Sequence, residues 1–90
     1  MKHFTQEDIA QKLTGWAFVN NGIEKDFTFK DFNEAFAFMT RIALWCAIED
    51  HHPEWSNIYN KVHIRLNAHS ENAVTEKDIN LARKIDAAFS

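Results

Sequence analysis

Residues 16–29 read WAFVNNGIEKDFTF, and this stretch decides the fold. Asn21-Gly22 lies between two alternating apolar runs. It is a strong hairpin signal, because a type I′ turn needs two positive φ angles. A two-residue loop there sets Trp16 opposite Phe27 and Phe18 opposite Lys25. That face carries the aromatics, while Ala17, Glu24, Asp26 and Thr28 look outward. The expectation is an antiparallel ribbon with one apolar side, which other elements must cover.

Helix starts written almost identically stand on either side. In FTQEDIAQKL, Thr5 and Asp8 form a capping box and Phe4 can clip onto Ile9. In VTEKDINLARKI, Thr75 and Asp78 repeat the pair, with Val74 packing on Ile79. Gly15 is a plausible stop for the first helix. Ile9 and Leu13 share one face, as do Ile79, Ala82, Ile85 and Phe89. A second alternating run, KVHIRLN, points Val62, Ile64 and Leu66 to the core and Lys61, His63, Arg65 and Asn67 away from it. The short stretch WSNIYN supplies a strand before it.

Between the two ribbons runs the longest helix, from about Asp31 to about Asp50, with Asp31 and Glu34 capping its start. Phe32, Phe36, Met39, Ala43 and Cys46 form one stripe. Ala35, Phe38, Ile42 and Trp45 cover much of the rest. A surface helix normally shows a single apolar stripe. A chain of 90 residues can scarcely wrap such a helix on every side, so burial against another subunit is expected, as a homodimer or homotetramer. The order α-β-β-α-β-β-α defines an α+β fold, a four-stranded antiparallel sheet with three helices packed on one face. One domain spans residues 1–90, without linker or repeat.

Composition narrows the function. An apolar fraction of 46% with two glycines and one proline describes an ordered domain. A net charge of −3 supplies no broad basic field, so direct nucleic-acid or anionic-membrane binding is not expected. The run IALWCAI at 42–48 is far short of the ~20 residues that span a bilayer. The start MKHFTQEDIAQ lacks a signal peptide's apolar core. The single cysteine, Cys46, fits a cytoplasmic location and reads as a packing residue.

Chemistry concentrates in EDHHPEW, residues 49–55. Proline at 53 pushes His52 toward extended geometry, so the long helix must end around Asp50 or His51. The backbone then turns between the two histidines, and their rings can converge. A third imidazole, His69, follows the strand ending near Asn67, in NAHSENAV. Trp55 and Tyr59 are core or interface aromatics that could also stack on a flat ring. Positioned imidazoles serve as general acids and bases near neutral pH. No metal is expected, because the chain has neither CxxC nor HExxH and adjacent ligands strain the geometry. Two glycines leave no phosphate-cradling loop.

These residues carry a family resemblance over nearly the whole chain. His51-His52-Pro53 is followed after five residues by Tyr59, after nine more by His69, and after eight more by Asp78. With DHHPEW, YNKVHI and FKDFNEAF, this spacing resembles the pterin-4a-carbinolamine dehydratase family. Ala47 departs from it, standing where the family often has a charge. The resemblance implies dehydration of a 4a-hydroxytetrahydropterin to the quinonoid dihydropterin, which recycles the pterin of aromatic amino-acid hydroxylases. It implies His51, His52 and His69 as catalytic residues, with no cofactor. It further implies substrate contacts at Asp50, Pro53, Asn67, Ala68 and Ser70 beside the histidines, with Asp78 and Trp55 supporting. The alternative is a non-enzymatic protein-binding module, a dimerisation partner or transcriptional cofactor on the same fold.

Overall fold

The computed structural model describes residues 2–89 and holds the elements in the expected order. They are α1 (Gln6–Lys12), β1 (Ala17–Val19), β2 (Gly22–Thr28), α2 (Phe32–Glu49), β3 (Glu54–Ile58), β4 (Lys61–Leu66) and α3 (Glu76–Phe89). The strands form one antiparallel sheet in the order β1-β2-β4-β3. Ile23, Phe27, Val62, Ile64 and Leu66 face the helices and are buried with Ile9, Phe38, Ile42, Ile79 and Ile85. The other face stays open. Glu24, Asp26, His63 and Arg65 pair with one another across it.

The first hairpin corrects the sequence reading. Val19 pairs with Gly22 and Ala17 with Glu24, so the loop is Asn20-Asn21. Both asparagines take positive φ, 47° and 61°, as a type I′ turn requires. Phe18 therefore lies opposite Ile23 rather than Lys25. The slip is two residues, so every side chain keeps its face. Trp16 and Phe27 remain buried, and their rings meet edge-on at 6.2 Å. Lys25, on the same side, reaches Asp86 Oδ1 at 2.8 Å, and Asp86 Oδ2 accepts from Trp16 Nε1 at 3.0 Å.

The rotation of α2 is left open by its all-round apolar sequence. Its buried residues are Ala35, Phe38, Ile42 and Cys46, of which Phe38 and Ile42 are each worth about 1.5–3 kcal/mol when fully buried. Phe32 and Phe36, expected on the stripe with Cys46, are exposed, as are Leu44, Trp45 and Ile48. An all-round apolar helix carries no sequence signal for which side meets the sheet.

α1 has the full capping box: the Thr5 side chain accepts from Asp8 N–H, and Asp8 from Thr5 N–H. It ends before Gly15, at Lys12, with Leu13 as its cap. α3 has half of one. Thr75 N–H donates to Asp78 Oδ2 at 2.9 Å, but the buried Thr75 hydroxyl has no partner among the described residues. Asp78's second oxygen is used elsewhere.

Candidate active site

Asp50 ends α2 in the left-handed region, φ 52° and ψ 44°. His51 N–H then bonds back to Cys46 O at 3.1 Å, closing a Schellman-type end. The reversal thus falls at Asp50, one residue before the expected point between the histidines. It turns His51 inward. His51 is 8% exposed, whereas Asp50 and His52 lie at the surface.

His51 meets Asp78. Nε2 of the ring lies 2.5 Å from Asp78 Oδ1, and Asp78 is 0% exposed. A buried carboxylate must be matched by donors. Asp78 has two, the His51 ring and Thr75 N–H, at the positive end of the α3 macrodipole. One residue thereby caps α3 and orients a histidine at the end of α2. Sequence reasoning saw the cap in TEKD but had no signal for the contact with His51.

Strand register brings the other segments to the same end of the sheet. Glu54 pairs with Arg65, so residues 51–53 enter β3 where residues 67–69 leave β4. β4 is central, between β2 and β3. Beyond it, Ala68 bridges to Ala73, and Glu71 N–H donates to Ala68 O at 3.0 Å. His69 and Ser70 are the central residues of that turn, both exposed. Ala68 N–H is bonded to Ala73 O. Asn67 is 5% exposed and donates from Nδ2 to Asn21 O. Neither His52 nor His69 has a hydrogen-bond or ion-pair partner among the described residues.

Trp55 lies on the helix side of β3, partly buried against the core, and Pro53 is half-buried. Tyr59 sits at the opposite end of β3, exposed and with φ 51°. The length of the strand, about 17 Å for five residues, separates it from the histidines. His63 lies on the open face as expected, its Nδ1 2.6 Å from Asp26 Oδ1 and its Nε2 3.1 Å from Glu24 Oε1. A concavity of about 510 Å³ on that face is lined by Asp26, Thr28, Ser56, Ile58 and His63 and by none of the three candidate histidines. Chemistry, rather than hollow volume, marks the site.

Burial pushes the Cys46 thiol up to about 11, with Glu49 adding to the effect. The thiol is inert at neutral pH, which removes it as a nucleophile. Among the described residues no cluster of three metal-ligating side chains occurs, and no helix is long and apolar enough to cross a membrane.

Known proteins share this arrangement of sequence and fold. The sequence model of the family described as pterin 4 alpha carbinolamine dehydratase matches residues 2–88. A relative from Paraburkholderia xenovorans is 53% identical over 77 residues, covering 83% of this chain and 80% of its own. One from Prochlorococcus marinus is 40% identical over 89 residues, covering 99% and 93%. Both are named provisionally as pterin-4-alpha-carbinolamine dehydratases. The crystal structure of a transcriptional coactivator/pterin dehydratase from Brucella melitensis superposes with a TM-score of 0.93 at 44% identity. It covers 99% of this chain and 100% of that one.

Proposed function

The chain belongs to the pterin 4 alpha carbinolamine dehydratase family, and from that premise we propose that it dehydrates a 4a-hydroxytetrahydropterin, such as 4a-hydroxytetrahydrobiopterin, to the quinonoid dihydropterin and water. The observation that carries this reading is the buried His51–Asp78 pair at the meeting of two helix ends. Such a pair holds an imidazole in one orientation, as proton transfer requires.

In the reaction a proton goes to the 4a-hydroxyl, the C–O bond breaks, and water leaves. A ring N–H gives up its proton to complete the double bond. Proton transfer alone accomplishes this, worth typically ~10²–10⁴-fold. With the Asp78 carboxyl oxygen as acceptor, His51 Nε2 is the donor of the bond. Nδ1 is then the nitrogen His51 offers to a substrate. His52 and His69, exposed at the same end of the sheet, complete the acid–base set. Asp50, Pro53, Ala68 and Ser70 surround the ring system, and Trp55 supports it. The product would be reduced and returned to an aromatic amino-acid hydroxylase in the cytoplasm.

A second reading has its own support. Phe36, Leu44 and Ile48 expose apolar surface along α2, which fits self-association as a dimer or tetramer. It fits equally a protein-binding module of the kind named for the Brucella structure. The discriminating experiment is an assay with freshly generated 4a-hydroxytetrahydropterin. Acceleration over the spontaneous reaction supports the enzyme. Its absence in a folded protein supports the module.

A further inference from the structure

Side chains at the end of β4 and just beyond it hold the β1–β2 turn by its carbonyls. Arg65 Nη1 donates to Val19 O at 2.7 Å and Nη2 to Asn20 O at 2.8 Å, and Asn67 Nδ2 donates to Asn21 O at 2.5 Å. Three successive carbonyls at the turn are thus satisfied by Arg65 of β4 and by Asn67 just beyond it. Arg65 Nη1 also donates to Glu24 Oε2 at 2.9 Å, and Nε lies 3.3 Å from Glu54 Oε2. Gly22 makes room for the Arg65 guanidinium, since a Cβ there would run into it. Gly22 is absent from the positive-φ residues, so its small size answers to Arg65 rather than to the turn.

The grip ends where the candidate site begins. Asn67 is the last residue before the turn that carries His69 and Ser70, and its neighbour Ala68 opens that turn through Glu71 N–H. A polar side chain only 5% exposed and bonded to a turn carbonyl is a fixed post. We propose that Arg65 and Asn67 are positioning residues that hold the His69 turn in register with His51 by anchoring it to the β1–β2 turn. This rests on the dehydratase reading only for its catalytic consequence. The resemblance suggests a substrate contact at Asn67, and in the structure its Nδ2 donates to the Asn21 carbonyl. A misplacement of even ~1 Å at a reacting group can cost ~10²-fold.

Two variants test it. Asn67→Ala removes the post, and Gly22→Ala pushes the guanidinium off the turn while keeping its charge. Backbone amide order parameters at His69 and Ser70, from nitrogen relaxation, should fall from about 0.85 to below about 0.6 in both. Dispersed amide spectra would show that the rest of the chain stays folded. The kcat for 4a-hydroxytetrahydropterin should drop about tenfold with KM changed less than twofold. In a His69→Ala background, Asn67→Ala should add no further loss, because it acts through that histidine. Unchanged order parameters in both variants would overturn the inference, as would a fully additive loss with His69→Ala. A loosened turn with unchanged turnover would uphold the anchor and overturn the catalytic assignment of His69 instead.

Discussion

Asp78 Oδ1 lies 2.5 Å from Nε2 of His51, across 27 positions of sequence. The contact makes the start of α3 and the end of α2 one unit, so on the proposed mechanism one residue would serve both stability and catalysis. Asp78→Asn keeps the shape but no longer guarantees an acceptor for Nε2–H. Turnover should fall by about 10²-fold with little change in KM. Asp78→Ala should also cost about 2–4 kcal/mol in urea unfolding. About 1 kcal/mol of that is the lost cap and the remainder the unpaired ring. Unaltered turnover in Asp78→Asn would remove this carboxylate from the mechanism.

Histidines at the sheet end and on the sheet face should behave oppositely. His52→Ala and His69→Ala should each slow dehydration by about 10²-fold, limited by the spontaneous reaction, and shift stability by no more than about 1 kcal/mol. His63→Ala breaks exposed pairs with Asp26 and Glu24, worth at most about 1 kcal/mol, and should leave turnover intact. Steady-state kinetics on the three variants decide it. The reverse pattern would move the site to the open face.

Cys46 provides a pH test. Desolvation raises its thiol from 9.0 to about 11 in the folded state, so the native chain binds that proton more tightly than the unfolded chain. Its contribution is complete below pH 9 and is lost as pH rises through 11. The stability difference between the protein and Cys46→Ala should hold steady from pH 7 to 9 and shrink above it. Urea midpoints measured across that range give the answer, and a difference that stays flat to pH 11 contradicts it.

The exposed side of α2 should drive assembly. Light scattering is expected to give a multiple of the 10.5 kDa chain mass, and Leu44→Asp with Ile48→Asp should reduce it. A single-chain mass for the unaltered protein at micromolar concentration rules the assembly out.

Local chemistry was legible and long-range choices were not. Thr5-Asp8, Asp31 and Pro53 act within a few residues, and their helix ends fall within a residue or two of expectation. The hairpin was found but its loop misplaced. Asn20, Asn21 and Gly22 all tolerate positive φ, so the local sequence leaves the loop position open, and in the structure Gly22 lies in β2 against the Arg65 guanidinium. The face of α2 that meets the sheet was ambiguous because apolar residues surround the helix. His51-His52-Pro53 and the spacing to His69 singled out three histidines that the fold places at one end of the sheet. The resemblance named Asp78 as a supporting residue, but its contact with His51 was not legible, since helix packing brings the two together.

The order β1-β2-β4-β3 also sets a timetable for self-organisation. Each outer pair is a hairpin of adjacent segments, whereas the seam between β2 and β4 must close over all of α2 and β3. Closing such a loop of some thirty residues costs roughly 3 kcal/mol of chain entropy before any seam bond forms. A preformed α2 shortens the span, and its buried Phe38 and Ile42 give both hairpins one surface to dock on. The slow step in refolding is then the meeting of two ready-made halves on that helix. The anchor between Asn67 and Asn21 spans the same seam. The site end of the sheet is therefore complete only once that seam has closed.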